Sequence, residues 1–406
     1  MKSLNTMSQK LVGGLLAAVL CLISISGTNA QITTLTSFTG TNGSYPEAGL
    51  TVSGSTLYGT TDSGGANGDG TVFSVPVTGG APTTLASFNN TNGAYPQAGL
   101  TLSGSTLYGA TEGGGASGDG TVFSEPVTGG APTTLASFNN SNGAYPIGGL
   151  IVSGSTLYGT TNSGGASGYG TVFSVPATGG APTTLASFNN TNGAYPQAGL
   201  TLSGGTLYGT TAYGGANGSG TVFSVPVTGG APTTLTSFNN TNGSYPVAGL
   251  TLSGSTLYGT TVNGGANGAG TVFALNLGTD AVTTLASFNG TNGSAPYAGL
   301  TLSGGTLYGT TAYGGANGDG TVFALDLSTD AVTTLASFNG TNGAEPEAGL
   351  TLSGSTLYGT TAEGGNYGDG TVFSIETVPE PSTWAMLMGG LGFLAFWRTR
   401  TSRSLV

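Results

Sequence analysis

From residue 31 onward the chain alternates apolar and polar positions in short runs. The runs return in the same order every 50 residues, seven times, with no insertion or deletion. In the first unit Ala48, Leu50 and Val52 fall on one face of the run 48–53. A second run covers 56–61, a third covers 71–77 with Phe73 and Val75 alternating, and a fourth closes on Phe88. Clusters of Gly, Asn, Ser and Pro separate them, and no segment has a helical period. Pro76 is expected to end the third run early, because proline has no N–H to give a ladder. The segments beginning at Leu275 and Leu325 lack that proline and read as plainer hairpins.

Four strands per unit in seven exact repeats predict an all-β fold, a seven-bladed β-propeller. The phase of the repeat adds a separate argument. The array opens with a fourth-type run, 32–38, that has no unit before it, and it ends on a third-type run, 371–375, with no fourth run after it. The N-terminal strand therefore completes the last blade and closes the ring, which removes the exposed edges of an open array. With alternating strand directions, the short connections share one face of the disc. The long ones, 62–70 and 89–97, share the other. That long-loop face is the expected binding face.

The two ends of the chain read differently. Residues 1–30 have the form of a secretory signal peptide: Lys2 and Lys10, an apolar stretch from Leu11 to Ile25, and small residues before a cleavage point at Ala30. The repeat array fills 31–378. In 379–406, Pro379-Glu380-Pro381 precedes a mostly apolar stretch, 384–397, bracketed by Trp384 and Trp397. Arg398, Arg400 and Arg403 follow. That stretch is short for a full membrane span but has interfacial anchors and a basic stop, so it reads as a membrane-retained tail.

Composition then removes whole classes of function. The chain has 5 basic residues, 16 acidic residues and no histidine. All five basic residues lie in the leader or the tail, and the single cysteine, Cys21, is in the leader. The array therefore cannot form a disulfide, a His/Cys metal site or a Ser-His-Asp triad, and it cannot neutralise nucleic-acid phosphates.

Candidate chemistry is limited to carboxylates, amides and tyrosines. The loop 64–70 has Asp at Asp69, Asp119, Asp319 and Asp369, which suits oxygen ligation of Ca2+. Asn-Gly and Asp-Gly turns would give the same pattern. Ring closure would bring Glu345, Glu347, Glu363 and Asp369 beside Glu47, Asp62 and Asp69. The candidate Ca2+ ligands are Asp62, Asp69, Glu363 and Asp369. A carboxylate pair such as Glu347 and Glu47 would also meet the minimum for a glycan hydrolase or lyase. Tyr45, Tyr95, Tyr145, Tyr195 and Tyr245 recur before proline, beside Asn and Thr, and suit sugar rings. Packing on the proline is the alternative role for them.

The unit Leu57-Tyr58-Gly59-Thr60-Thr61, then Gly64-Gly65, then Gly70-Thr71-Val72-Phe73 resembles the GloVer-type extracellular tandem repeat over residues 31–378. A fainter similarity to kelch blades supports only the architecture. The tail resembles a PEP-CTERM sorting signal, with Pro379, Glu380 and Pro381 as the motif. That resemblance implies export in a Gram-negative bacterium, processing by an exosortase and association with exopolysaccharide. The repeat resemblance implies a surface or secreted protein and no catalytic residue. The expected protein is thus an exported, non-catalytic surface or extracellular-matrix component. The alternative is a lectin-like carbohydrate-binding propeller using the long-loop face, with or without Ca2+.

Overall fold

The computed structural model describes residues 30–377. The expected leader and the expected tail, including Trp384 and Trp397, lie outside the described residues. Within them every regular element is a strand, arranged as seven four-stranded antiparallel blades around one axis. Blade 1 is β2 (Thr51–Ser53), β3 (Thr56–Thr61), β4 (Thr71–Pro76) and β5 (Thr83–Ser87), in that order from axis to rim. Blade 7 is β26 (Thr351–Ser353), β27 (Thr356–Thr361), β28 (Thr371–Glu376) and, at its rim, β1 (Thr33–Ser37). The pairing of Thr33 with Ser374 and Ser37 with Thr371 closes the ring as the phase of the repeat predicts.

The core lies in the seams between blades. Each seam holds one edge-on phenylalanine pair, with ring centroids 4.8 to 5.0 Å apart. Phe38 of the N-terminal strand packs on Phe73 of blade 1 at 4.9 Å, in the same way as Phe88 on Phe123. All fourteen of these rings are fully buried. Such a pair contributes about 1 kcal/mol beyond its area. Valine, leucine and isoleucine from the third strand and leucine from the second fill the rest of each seam.

The strand ends differ from the sequence reading in three places, each for a backbone reason. The innermost strand holds only Thr51–Ser53, whereas the pattern suggests 48–53. The carbonyls of Ala48 and Leu50 are taken instead by threonine hydroxyls of the preceding blade: Thr360 donates to Ala48 O at 3.0 Å, and Thr351 donates to Leu50 O. Pro76 does not end the third strand early. It pairs with Thr56, and its missing N–H falls on the other side, where pairing with β5 stops at Ser74 and Thr83. Where the proline is absent, the ladder runs on to Asn276 and Ala281. The fourth strand also carries a bulge that the pattern does not show. Leu85 is the extra residue between the Val72–Ala86 and Phe73–Thr84 pairs. Its carbonyl accepts from Gly130 N of blade 2 at 3.1 Å, so the Gly-Gly turn of one blade clasps the rim strand of the blade before it.

Candidate functional site

The two long connections of each unit are sewn into a single face. Ser44 N donates to Ser63 O at 2.9 Å and Ser63 N donates back at 3.1 Å; Ala194 and Tyr213 do the same at 2.8 and 3.1 Å. The tyrosine position of this loop is held between blades. Tyr45 N donates to Asp369 O of blade 7, and Tyr45 O accepts from Asp62 N of blade 1. Every residue at this position has positive φ, from 53° at Ala295 to 62° at Tyr245. Bulky L-residues rarely adopt that backbone conformation.

Inside this loop the chain dives to the axis. Gly49 approaches Gly349 so closely that a Cβ on it would sit 3.3 Å from the Gly349 carbonyl oxygen. Two residues earlier stands the position that rims the mouth of the axis: Glu47, Gln97, Ile147, Gln197, Val247, Tyr297 and Glu347. All seven are half-buried. The scaffold repeats, and the identities at this position do not.

One sector around the rim, from blade 7 through blade 1 to blade 2, is acidic. Gln97 donates to Asp62 at 3.3 Å and to Glu112 at 3.1 Å, tying blade 1 to blade 2. Burial first, and then the charges of Asp62, Glu347, Glu112 and Glu345, push Glu47 up to about 8. Burial and the charges of Glu345 and Glu363 push Glu347 up to about 7. Glu112 is raised by burial and by Asp62. With no cation in the array to hold it ionised, the Glu47 carboxyl keeps its proton at neutral pH and can donate a hydrogen bond as well as accept one, while Glu347 is part-protonated there.

The opposite half is aromatic. Tyr169 and Tyr195 meet edge to face at 5.7 Å, Tyr195 and Tyr213 at 6.1 Å, and Tyr213 and Tyr245 tilt together at 5.1 Å. Tyr213 is 49 % exposed. Tyr245 also engages Gln197 and Tyr213 through its hydroxyl. Further round, Tyr297 is pushed up to about 12 by burial and by Glu347, Tyr313, Tyr245 and Glu345. Tyr313 hydrogen-bonds Glu345, so the aromatic arc runs into the acidic one.

Against this geometry the expected residues divide. Tyr45, Tyr95, Tyr145, Tyr195 and Tyr245 all lie on the long-loop face. Only Tyr195 and Tyr245 join the arc; Tyr45, Tyr95 and Tyr145 stand apart with exposed rings. Asp62, Asp69, Glu363 and Asp369 do not converge. Asp62 turns to Ser63 and Gln97, while Asp69 and Asp369 give their carbonyls to Tyr95 and Tyr45. Among the described residues no group of three or more acidic side chains is placed to hold a metal ion. Tyr169, Tyr213, Tyr297 and Tyr313 were missed. None of them recurs in every unit, and the signal that marks them is departure from the repeat: Tyr213 and Tyr313 stand where other units have Ser63, Gly113 or Asn263.

Comparison with solved structures finds propeller-like neighbours at low identity. A manganese-bound oligogalacturonate lyase aligns with TM-score 0.55 and 12% identity over 88% of this chain and 96% of that one. The oligogalacturonate lyase of Vibrio parahaemolyticus gives 0.53 and 10% over 87% and 95%. A europium-containing methanol dehydrogenase gives 0.53 and 10% over 86% and 94%. At such identities the likeness is one of fold. No curated protein matches the chain. The PEP-CTERM protein-sorting motif matches residues 377–400, which marks an exported cell-surface protein processed by an exosortase. The Gloeobacter/Verrucomicrobia repeat model matches residues 21–173, 77–268 and 203–388. The chain belongs to the Gloeobacter/Verrucomicrobia repeat family.

Proposed function

We propose that this exported surface protein binds extracellular polysaccharide, without cleaving it, through the tyrosine arc of its long-loop face. The carrying observation is the run Tyr169, Tyr195, Tyr213 and Tyr245, whose rings touch in sequence across blades 3 to 5. Aromatic faces cover the apolar CH faces of sugars, and Gln197 and the tyrosine hydroxyls supply partners for sugar hydroxyls. The array has no cation, and its mouth is acidic, so the sugar chain it takes is neutral or amine-bearing. A C-terminal segment retained at the membrane would hold the propeller at the cell surface while it binds.

Affinity electrophoresis in a gel containing the exopolysaccharide of the producing organism tests this. The wild type is retarded, and Tyr213→Ala with Tyr245→Ala runs as it would without polymer. Equal retardation of both proteins removes the arc from the reading. The raised carboxyls of Glu47 and Glu347 favour one second reading, glycan cleavage. Shortening of the polymer, lost in Glu347→Gln, would replace binding with catalysis.

A further inference from the structure

The two ends of the array leave the propeller from one face, and that face is opposite the tyrosine arc. The third strand of each blade runs from the long-loop face to the short-loop face, so β28 delivers the chain to the short-loop side. There the last described residues are bolted down. Thr377 N and Oγ1 both donate to Ser355 O at 2.8 Å, in the turn between β26 and β27. Glu376 accepts from the hydroxyls of Ser355 at 3.1 Å and Thr356 at 2.9 Å. β1 starts at the same edge, with Thr33 opposite Ser374.

We infer that the short-loop face lies against the lipid surface while the tail is held in it, and that the long-loop face is presented outward. This rests on the membrane-retained reading of residues 379–406. The tether is short. From Thr377 to Trp384 the chain can span at most about 25 Å, and a six-residue strand alone stands about 20 Å tall. Turning the tyrosine face down would draw that tether out almost to its full length along the side of the disc, so the short-loop face is the one that meets the bilayer without extension. Charge acts in the same direction. Asp62, Asp69, Asp119, Asp319, Glu363 and Asp369 stand in the long loops, against Asp280, Asp326, Asp330 and Glu376 on the short-loop side, so an anionic lipid surface repels the long-loop face more. The turns between the first and second strands of each blade on the short-loop face, such as Ser53-Gly54-Ser55 and Ser153-Gly154-Ser155, are small and uncharged.

Blade 3 offers a matched pair of probes. Ser155 is exposed on the short-loop face and Ser167 on the long-loop face. The full chain carrying Cys21→Ser and either Ser155→Cys or Ser167→Cys is labelled with a thiol fluorophore. It is then reconstituted in vesicles of phosphatidylcholine and phosphatidylglycerol containing a nitroxide headgroup lipid. Quenching several-fold stronger at position 155 than at 167 supports the orientation. Equal quenching, as for an edge-on disc, or stronger quenching at 167, overturns it. Flotation separates this result from the anchoring itself. A chain ending at Thr377 stays with the soluble fraction and the full chain floats. If both float, or neither does, the tail is not the anchor and the orientation falls with it.

Discussion

The ring of Phe73 lies across the Cα of Gly59: a Cβ there would stand 2.6 Å from Phe73 Cζ and 2.9 Å from Leu50 Cδ2. The same clash recurs at Gly109 with Phe123 and at every equivalent glycine to Gly359 with Phe373. The φ at Gly59 is not positive, so the demand for glycine is steric and arises from the seam packing. Gly59→Ala is expected to cost about 1–3 kcal/mol, as overpacking does. Urea unfolding reads it. The double variant Gly59→Ala with Phe73→Leu should lose less than the sum of the two single losses. Additive losses would mean the ring is not the obstacle.

Ring closure predicts a second outcome. Removing residues 31–37 deletes β1 and leaves the rim side of β28 unpaired. An unpaired edge recruits other chains. The truncated protein should melt at lower temperature and elute in size-exclusion chromatography as oligomers. A synthetic peptide of residues 31–38 added in excess should reverse both by mass action. Unchanged melting after truncation would show that β28 needs no partner.

Much of this was legible in the sequence, and what was not has a common cause. The four runs repeat, and the phase of the repeat marks the one vacancy that β1 fills, so periodicity exposes them. Leu85 also repeats, but nothing in its residue type signals a bulge, since the carbonyl that matters is backbone and its donor, Gly130, belongs to the next blade. The site was half legible. The recurring Tyr195 and Tyr245 were found as members of the repeat. Tyr169 and Tyr213 are departures from it, and only the folded loops show that the departures gather on one face. Glu125 is such a departure too, a single acid in a column that otherwise reads Val75, Val175, Val225, Leu275, Leu325 and Ile375.

The positive φ of the loop tyrosines separates a ligand role from a packing role. Tyr95 holds φ 59° and is 43 % exposed. That backbone costs an L-residue about 1–2 kcal/mol, partly offset for glycine by its greater entropy loss. Tyr95→Gly should therefore leave stability unchanged or raise it by up to about 1 kcal/mol. Because Tyr95 stands apart from the arc, retardation in the affinity gel should stay at the wild-type level, and a fall would extend the binding face to Tyr95, the pattern of strain kept at a functional position. A stability loss of about 2 kcal/mol or more would instead place Tyr95 with the packing residues.

Glu125 gives the ring a pH dependence from inside one of its seams. It is 0 % exposed in the seam between blades 1 and 2, and neither carboxylate oxygen has a hydrogen-bond partner. Leu107 stands opposite it on the second strand of blade 2. Burial alone pushes it up to about 7. A raised pKa in the folded state means the fold binds this proton more tightly than the unfolded chain does. The stability it permits is fully present below about 4.5 and is lost as pH rises through about 7. A shift of that size corresponds to about 3 kcal/mol. Glu47 and Glu347 are raised in the same direction and add to the slope up to about pH 8. Urea unfolding from pH 4.5 to 8.5 should therefore show stability falling as pH rises. Glu125→Val, which restores the residue of blades 1, 3 and 4, should remove about 3 kcal/mol of that fall, leaving the part due to Glu47 and Glu347, and so stabilise the protein by about 3 kcal/mol at pH 8 with little effect at pH 4.5. An equal gain at both pH values would show that valine acts by better packing and that the proton on Glu125 is irrelevant.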